Sequence, residues 1–170
     1  AFSNAPDKAG KLELAHRGTI LFDEIGDMNL SIQPKLLRFL EDKRVSRLGD
    51  NRTRQVDVRV VAASNQDLKA KTREGTFRED LYHRLACIQL YIPPLRERKE
   101  EIPTLTEFFL KRFAAQHHWV TPAVSDAAMN LLTAWDWPGN IREFMNVLLN
   151  ASIQARGKRL LPEHLTLIQE

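Results

Sequence analysis

Two adjacent carboxylates, Asp23 and Glu24, are the residues of this sequence best suited to chemistry. They follow residues 20–22, an apolar run typical of a strand that is buried on both faces of a parallel sheet. Ligands bind at the carboxyl ends of such strands in open α/β folds. Asp23 can hold Mg²⁺ there, and Glu24 can orient and polarise an attacking water. The pattern indicates nucleotide hydrolysis, although two such acids can also begin a solvated helix.

A polar amide follows a second predicted strand. Valines alternate with polar residues from position 56 and lead into an apolar end, so residues 56–63 are predicted to form a strand that stops at Ser64 and Asn65. At the same sheet edge as the carboxylates, Asn65 can sense a γ-phosphate or position water. The alternative is an asparagine that simply begins a turn, which is common.

Two arginines are predicted to share a short helix over residues 77–85. Arg78 and Arg84 are six residues apart, which is more than one turn, so they need not share a ligand. An arginine that reaches a transferring phosphoryl group stabilises its developing charge. The alternative is surface ion pairing with Glu79 and Asp80.

A third arginine, Arg142, is predicted in the first turn of a helix that begins after the turn at residues 137–139. Asn140 is the expected N-cap, and Glu143 would complete a capping-box-like pair. From this position Arg142 can direct its guanidinium at a nucleotide that lies between two parts of the chain. The alternative is a helix charge that faces solvent.

The elements around these residues follow from periodicity and turn signals. Ile32, Leu36 and Leu40 repeat at helical spacing and predict a helix over residues 31–41. Residues 43–54 suit a hairpin that turns at residues 49–51, and residues 88–92 suit a third strand. Cys87 lies in an apolar stretch and is expected to pack in the core, with a reactive role as the alternative.

Two prolines at positions 93 and 94 interrupt the α/β pattern, and the rest of the chain is predicted to be helical. We therefore expect two domains, an α/β part over residues 1–93 and a helical part over residues 94–170. Ser125 is the expected N-cap of one of the helices. Apolar residues at helical spacing predict two buried faces, namely Ile102, Leu105, Phe109 and Phe113, and Ala128, Leu131, Leu132 and Trp135.

Composition sets broad limits on the class of protein. The chain has 170 residues, a hydrophobic fraction of 43% and a net charge of +3, which suit a globular protein and are too mild to establish nucleic-acid binding. No signal peptide or membrane span is visible, and the only cysteine is Cys87, so a cytoplasmic location is expected. The five histidines show no metal-ligand spacing, which argues against a zinc site.

Five motifs in order resemble one family over essentially the whole chain. They are residues 18–28, 58–68, 77–85, 93–98 and 137–143. The resemblance is to the AAA+ ATPase domain of bacterial activators of sigma-54 RNA polymerase. It implies the C-terminal part of an AAA+ P-loop-type parallel sheet core, followed by a small all-helical lid domain.

The resemblance also implies roles for the residues singled out above. Asp23 and Glu24 correspond to the Walker B pair, with Asp23 on Mg²⁺, and Asn65 to sensor I. Arg78 and Arg84 resemble the arginine-finger pair, which acts on ATP held by the neighbouring subunit. Arg142 would then be sensor II and would contact the nucleotide.

For the whole protein, the resemblance implies an ATP hydrolase that works as a ring, usually a hexamer, with ATP and Mg²⁺ as cofactors. Its partner would be the sigma-54 RNA polymerase holoenzyme, which it remodels to promote open-complex formation. DNA binding would belong to a helix-turn-helix domain that this chain does not contain, and no membrane partner is expected.

Two features depart from the family pattern. No G-x-x-x-x-G-K-[ST] phosphate loop occurs in this sequence, so we expect a fragment that lacks the Walker A region and is inactive alone. The family's partner loop reads Gly-Ala-Phe-Thr-Gly-Ala, whereas here Phe2 is followed by Ser3 and Asn4. Ser3 keeps the hydroxyl, but Asn4 replaces a glycine that adopts positive φ more readily.

These departures motivate two alternatives. One is an AAA+ transcription regulator that has no sigma-54 contact, and the other is a non-catalytic ring or assembly module.

Overall fold

The structure is a computed structural model that describes residues 9–47 and 52–166. The chain divides into two compact units, Ala1–Leu90 and Tyr91–Glu170. The first is α/β and the second is helical, so the mixed α/β class expected from the sequence is confirmed. The exact boundary between residues 93 and 94 remains a prediction. Within the described ranges, every helix is too short or too polar to span a lipid bilayer.

The described residues of the first unit form four short strands and four α-helices. In chain order they are α1 (Lys11–Leu14), β1 (Gly18–Phe22), α2 (Gln33–Asp42), β2 (Arg44–Ser46), β3 (Thr53–Gln55), β4 (Val58–Ala62), α3 (Leu68–Arg73) and α4 (Glu79–Leu85). A single 3₁₀ turn, Ile25–Asp27, follows β1. The buried core of this unit includes Ile25, Leu36, Phe39, Phe77 and Leu81.

Strands β1 and β4 form a parallel pair, in which Phe22 lies opposite Ala62. The prediction that both strands end at one sheet edge is therefore confirmed. The prediction that β1 is buried on both faces is wrong, because Leu21 is 59% exposed. Side chains alternate between the two faces of a strand. In the described residues, the core of this unit covers the face of Ile20 and Phe22 only.

The predicted hairpin and the predicted first helix are both present. β2 and β3 pair antiparallel, whereas the turn expected at residues 49–51 lies outside the described residues. Helix α2 starts at Gln33 with Pro34 in its first turn. Ile32 precedes the helix and is 44% exposed, so the buried stripe contains Gln33 in place of Ile32.

Two expectations for residues 87–92 are wrong. No described strand pairs with residues 88–92, and the four large apolar side chains in this segment, Ile88, Leu90, Tyr91 and Ile92, are 76–89% exposed. A strand needs a hydrogen-bonded neighbour, and the described chain offers none here. Cys87 is also exposed, because it follows the end of α4 instead of entering the core, and its Sγ lies 3.4 Å from the Arg84 carbonyl.

In the second unit, the part that the structure describes has three main helices around a core of its own. They are α5 (Ile102–His117), α6 (Asp126–Ala134) and α7 (Asn140–Ala155), preceded by 3₁₀ turns at Leu95–Glu97 and Lys99–Glu101 and followed by another at Pro162–His164. Ser125 caps α6, since its Oγ accepts a hydrogen bond from the Ala128 amide at 3.2 Å, as predicted. The core side chains that are fully buried include Ile102, Leu132, Trp137, Phe144 and Leu148.

The capping predicted for α7 is wrong in its assignment of Asn140. Gly139 is the N-cap residue, and the Asn140 side chain instead accepts a hydrogen bond from the Leu95 amide at 2.9 Å. Asn140 also has a left-handed backbone, with φ of 52°. Glu143 does reach back, because its Oε2 accepts from the Gly139 amide at 2.7 Å. Of the predicted capping-box pair, the hydrogen bond to the Glu143 carboxylate is thus formed, but its donor is the amide of Gly139 and not that of Asn140.

Candidate functional site

Asp23 and Glu24 are placed by the end of β1. Asp23 is the first residue after the strand, is exposed, and its Oδ1 accepts a hydrogen bond from the Glu24 amide at 3.0 Å. Glu24 is exposed and has left-handed backbone angles, φ 51° and ψ 41°. Such angles are costly for a residue with a Cβ and recur at functional sites. The chain therefore turns sharply at Glu24 while both carboxylates remain accessible at the strand end.

Backbone hydrogen bonds join this turn to the end of β4. The Ala63 amide donates to Phe22 at 2.8 Å, and the Ile25 amide donates to Ala63 at 2.9 Å. Backbone pairing thus continues beyond the strands, to Ala63 after β4 and to Ile25 in the turn after β1. It brings the loop that contains Asn65 to the same sheet edge as Asp23 and Glu24.

The loop after β4 is held by Ser64. Its Oγ accepts from the Gln66 amide at 3.0 Å and donates to the Gln66 carbonyl at 3.1 Å. Asp67 then caps α3, because its carboxylate accepts from the Ala70 amide at 3.0 Å. Asn65 is exposed between these two fixed points, so its amide is presented to solvent by a well-anchored loop.

A polar network behind the carboxylates connects the 3₁₀ turn to α3. Lys71 donates to the Gly26 carbonyl at 2.7 Å and also to Gln66 Oε1. Gln66 Nε2 donates to Asp27 Oδ1 at 2.6 Å. Gly26 is packed tightly in this network, since a Cβ at that position would lie 2.9 Å from Ser64 Oγ. The two loops at the sheet edge are therefore locked together.

The prediction that Arg78 lies on a helix with Arg84 is wrong. Arg78 is the residue before α4 and has extended backbone angles, φ −74° and ψ 135°. Its guanidinium makes a bidentate ion pair with Asp80, with Nε–Oδ1 at 3.0 Å and Nη2–Oδ2 at 2.6 Å. This pair lowers the pKa of Asp80 and raises the pKa of Arg78. The surface ion pair considered from the sequence is thus present, with Asp80 as its acid.

Arg84 lies on α4 and is exposed. Its Nη2 donates to the Leu40 carbonyl at 3.2 Å, near the end of α2. Arg78 and Arg84 therefore have different partners in this structure, which agrees with the expectation that they need not share a ligand.

Gln33 is a residue that the sequence patterns did not single out. Its side chain is 0% exposed. Nε2 donates to the carbonyls of Met28 at 3.0 Å and Thr76 at 3.2 Å, and Oε1 accepts from the Arg78 amide at 2.8 Å. The sequence does contain a signal for this role. Gln33 lies three residues before Leu36 and seven before Leu40, so helical spacing places its polar side chain on the apolar stripe of α2.

Arg142 belongs to the second unit and is exposed in the first turn of α7. It lines an open cleft of about 1300 Å³ whose walls lie within that unit. Trp135, Asp136 and Pro138 line the same cleft, and Glu143 accepts a hydrogen bond from Trp135 Nε1 at 2.9 Å.

Two further expectations concern a partner loop and a metal. Phe2 and Ser3 lie outside the described residues. Within the described ranges, His, Cys, Asp and Glu side chains form no group of three that is placed to hold a metal ion. Mg²⁺ does not need such a group, since it commonly binds through one or two carboxylates, phosphate oxygens and water. The exposed Asp23 carboxylate fits that mode.

Comparison with known families assigns both units. Residues 1–91 match the family described as the Sigma-54 interaction domain. Residues 96–168 match the family described as the AAA+ ATPase lid domain.

Three of the similar curated proteins carry names of regulators. The regulatory protein AtoC of Escherichia coli (strain K12) is 46% identical over 97% of this chain and 36% of its own length. The alginate biosynthesis transcriptional regulatory protein AlgB of Pseudomonas putida is 46% identical over 97% of this chain and 37% of its own length. The Nif-specific regulatory protein of Herbaspirillum seropedicae is 41% identical over 96% of this chain and 30% of its own length. The chain thus spans about a third of these relatives.

Solved structures of NtrX from Brucella abortus have the same fold. The complex with ADP superposes with a TM-score of 0.89 at 39% identity, over 96% of this chain and 38% of that one. The complex with ATP gives a TM-score of 0.88, also at 39% identity, over 93% of this chain and 38% of that one. With both sequence families matched and this fold shared, the chain belongs to the Sigma-54 interaction domain family and carries an AAA+ lid domain C-terminal to its α/β unit.

Proposed function

We propose that the protein containing this chain hydrolyses ATP as an oligomeric ring, usually a hexamer, and uses the energy to remodel sigma-54 RNA polymerase holoenzyme for open-complex formation. The observation that carries the proposal is the shared sheet edge of β1 and β4, where Asp23, Glu24 and Asn65 are gathered. The family match supports the polymerase partner, and the NtrX complexes with ADP and ATP support the nucleotide.

In this proposal, Asp23 would hold Mg²⁺, and Glu24 would orient the attacking water and accept its proton. When bound, Mg²⁺–ATP supplies the phosphoanhydride bond and the metal neutralises charge on the phosphate oxygens. The Asn65 amide would align the water or sense the γ-phosphate. The exposure of all three side chains allows each to reach a ligand from the strand ends.

The three arginines would supply positive charge to the phosphates. Arg78 and Arg84 would act on ATP held by the neighbouring subunit, where they stabilise the charge that develops on the transferred group. Arg142 would contact ATP from the second unit, Tyr91–Glu170, which is called the lid unit below. Because Arg78 is paired with Asp80 in this structure, its guanidinium would have to exchange that carboxylate for phosphate oxygens.

A variant at Glu24 tests the hydrolytic part of the proposal. Glu24→Gln in the full-length protein keeps the size and the backbone conformation of the residue but removes the base. We expect ATP binding to be retained and turnover to fall by about 10²- to 10⁴-fold, the usual contribution of a general base. The measurement is steady-state ATPase activity together with nucleotide affinity. Turnover close to wild type would contradict the role of Glu24.

The polymerase partner needs its own test, since Asn4 replaces a glycine in the family's partner loop. Full-length protein is expected to open a sigma-54-dependent promoter in vitro in the presence of ATP. Active hydrolysis without open complexes would favour the alternative of an AAA+ regulator that has no sigma-54 contact. An intact full-length protein without hydrolysis would favour the non-catalytic ring module.

A further inference from the structure

We infer that Gln33 is a positioning residue for Arg78, whose buried amide sets the place from which this arginine reaches the neighbouring subunit. This inference rests on the proposed function, in which Arg78 acts on ATP bound next door. Gln33 touches neither nucleotide nor water in that scheme. It acts entirely through the backbone of the segment that carries the arginine.

The first argument is that both polar atoms of the Gln33 side chain are hydrogen-bonded. A glutamine amide offers two donor hydrogens and one acceptor oxygen. Both donors are used by the carbonyls of Met28 and Thr76, and the oxygen accepts from the Arg78 amide at 2.8 Å. All of this occurs at 0% exposure, where a hydrogen bond cannot be replaced by water.

The second argument is the position of these three contacts. Thr76 and Arg78 flank Phe77, which is 2% exposed and packs in the core of the first unit. The segment is thus held by one apolar side chain and by hydrogen bonds on either side of it. The Arg78 guanidinium, by contrast, is at the surface. A fixed backbone with an accessible charged group is what an arginine that acts across an interface requires.

The third argument is the link to the carboxylate edge. Met28 comes directly after the 3₁₀ turn that follows Asp23 and Glu24. Gln33 therefore connects two segments of one subunit. One is the turn that follows Asp23 and Glu24, and the other carries Arg78, which in this scheme acts on the neighbouring subunit. Lys71 makes a second tie to the same turn, through the Gly26 carbonyl.

The test is made on the full-length ring with Gln33→Leu, which keeps the approximate size of the side chain and removes all three hydrogen bonds. We expect ring assembly to persist, kcat to fall by about 10- to 100-fold, and KM for ATP to change by less than about threefold, because a misplaced group costs transition-state contacts more than ground-state binding. Thr106→Val is the matched control. It removes another buried hydrogen bond, from Thr106 Oγ1 to the Ile102 carbonyl, in the lid unit, and kcat should stay at the wild-type level.

Mixed rings separate a role at Arg78 from damage to the subunit's own carboxylates. Gln33→Leu subunits keep Glu24, and Glu24→Gln subunits keep a well-placed Arg78. Equal mixing makes about one interface in four that joins the two intact halves. Activity of the mixture well above that of either variant alone is the expected result. No gain on mixing would overturn the inference, because the defect would then lie in the Gln33→Leu subunit's own site.

An Arg78→Ala variant mixed with Glu24→Gln subunits distinguishes failure of this inference from failure of the proposed function. If that mixture regains activity and the Gln33→Leu mixture does not, the sharing of active sites between subunits is supported and the positioning role of Gln33 is refuted. If neither regains activity, sharing through Arg78 itself is refuted. Should Gln33→Leu fail to assemble, Gln33→Met is tested in the same way. Failure of both to assemble would assign Gln33 to folding and overturn the inference.

Discussion

Asn140 combines a left-handed backbone, with φ of 52°, and a side chain that accepts a hydrogen bond from the Leu95 amide. Leu95 is fully buried, so its N–H depends on this partner. Asparagine tolerates the left-handed region better than most residues with a Cβ. The residue thus serves the core of the lid unit and is not a helix cap.

Substitutions at Asn140 can separate these two contributions. Asn140→Gly loses only the acceptor and is expected to lower the free energy of unfolding by about 1–3 kcal/mol. Asn140→Ala also places a Cβ in the left-handed region and should cost about 1–2 kcal/mol more than glycine. Denaturant unfolding of both variants provides the measurement. Equal losses for alanine and glycine would show that the backbone conformation carries no penalty.

The Arg78–Asp80 ion pair has a defined pH dependence. The hydrogen bonds from Arg78 hold the pKa of Asp80 below its ordinary value in the folded protein. Its stabilising contribution is therefore complete above the unfolded-state pKa and is lost as the pH falls through the lower, folded-state pKa.

We accordingly expect Asp80→Asn to lower the melting temperature slightly at neutral pH, and the difference from wild type to vanish in acid below the folded-state pKa. The effect is small because the pair is exposed to solvent. Glu79→Gln, which removes a neighbouring charge from the same first turn, is the control. A difference for Asp80→Asn that grows as the pH falls would contradict the assignment.

At the scale of elements, the 3₁₀ turn after β1 and the loop after β4 pack against each other around Gly26. A Cβ at this position would lie 2.9 Å from Ser64 Oγ, 3.1 Å from Gln66 Oε1 and 3.2 Å from Leu68 Cδ2. Those atoms belong to the loop that presents Asn65 and to the start of α3. The glycine is therefore required by close approach.

Gly26→Ala is expected to lower the free energy of unfolding by about 1–3 kcal/mol, the usual cost of adding a methyl group to a tightly packed site. Gly10→Ala is the matched control, because a Cβ at that position meets nothing within 4 Å, and its effect should stay within about 0.5 kcal/mol. Urea unfolding of the two variants compares them directly. Equal losses of unfolding free energy for the two variants would show that the loops at the sheet edge can shift to accommodate the added methyl group.

At the scale of the whole molecule, each unit has a buried core of its own. The lid unit contains all three tryptophans of the chain, at positions 119, 135 and 137. Trp137 is fully buried and donates from Nε1 to the Leu132 carbonyl at 2.8 Å. Tryptophan fluorescence therefore reports on the packing of this unit alone.

We expect residues 91–170 by themselves to unfold cooperatively, as followed by tryptophan fluorescence. Leu132→Ala should destabilise the isolated unit by about 2–5 kcal/mol, since Leu132 is 0% exposed. The prediction that Leu131 lies on the buried face with Leu132 is wrong, because Leu131 is 41% exposed. Leu131→Ala is therefore the matched control, and its loss should cost much less. A gradual transition in the unmodified unit would show that its core is insufficient alone.

The sequence by itself determined those features that depend on neighbours a few residues away. Alternation and turn residues predicted the β2–β3 hairpin and β4, and Ser125 was recognised as a cap, because each pattern is complete within a short segment. The motifs also predicted that Asp23, Glu24 and Asn65 would follow two parallel strands, which the register of β1 and β4 confirms.

Tertiary structure alone decided the contacts between distant segments. Gln33 with Arg78 and Leu95 with Asn140 are hydrogen bonds between residues 45 positions apart, and no local period encodes either. A buried backbone group is hydrogen-bonded by whichever partner the fold places beside it. The Asn140 side chain therefore binds the Leu95 amide and does not cap α7, and the Gln33 side chain is buried beside the Arg78 amide. Residues 88–92 have the composition of a strand, but a strand forms only where a neighbour supplies hydrogen bonds, and the described chain supplies none there.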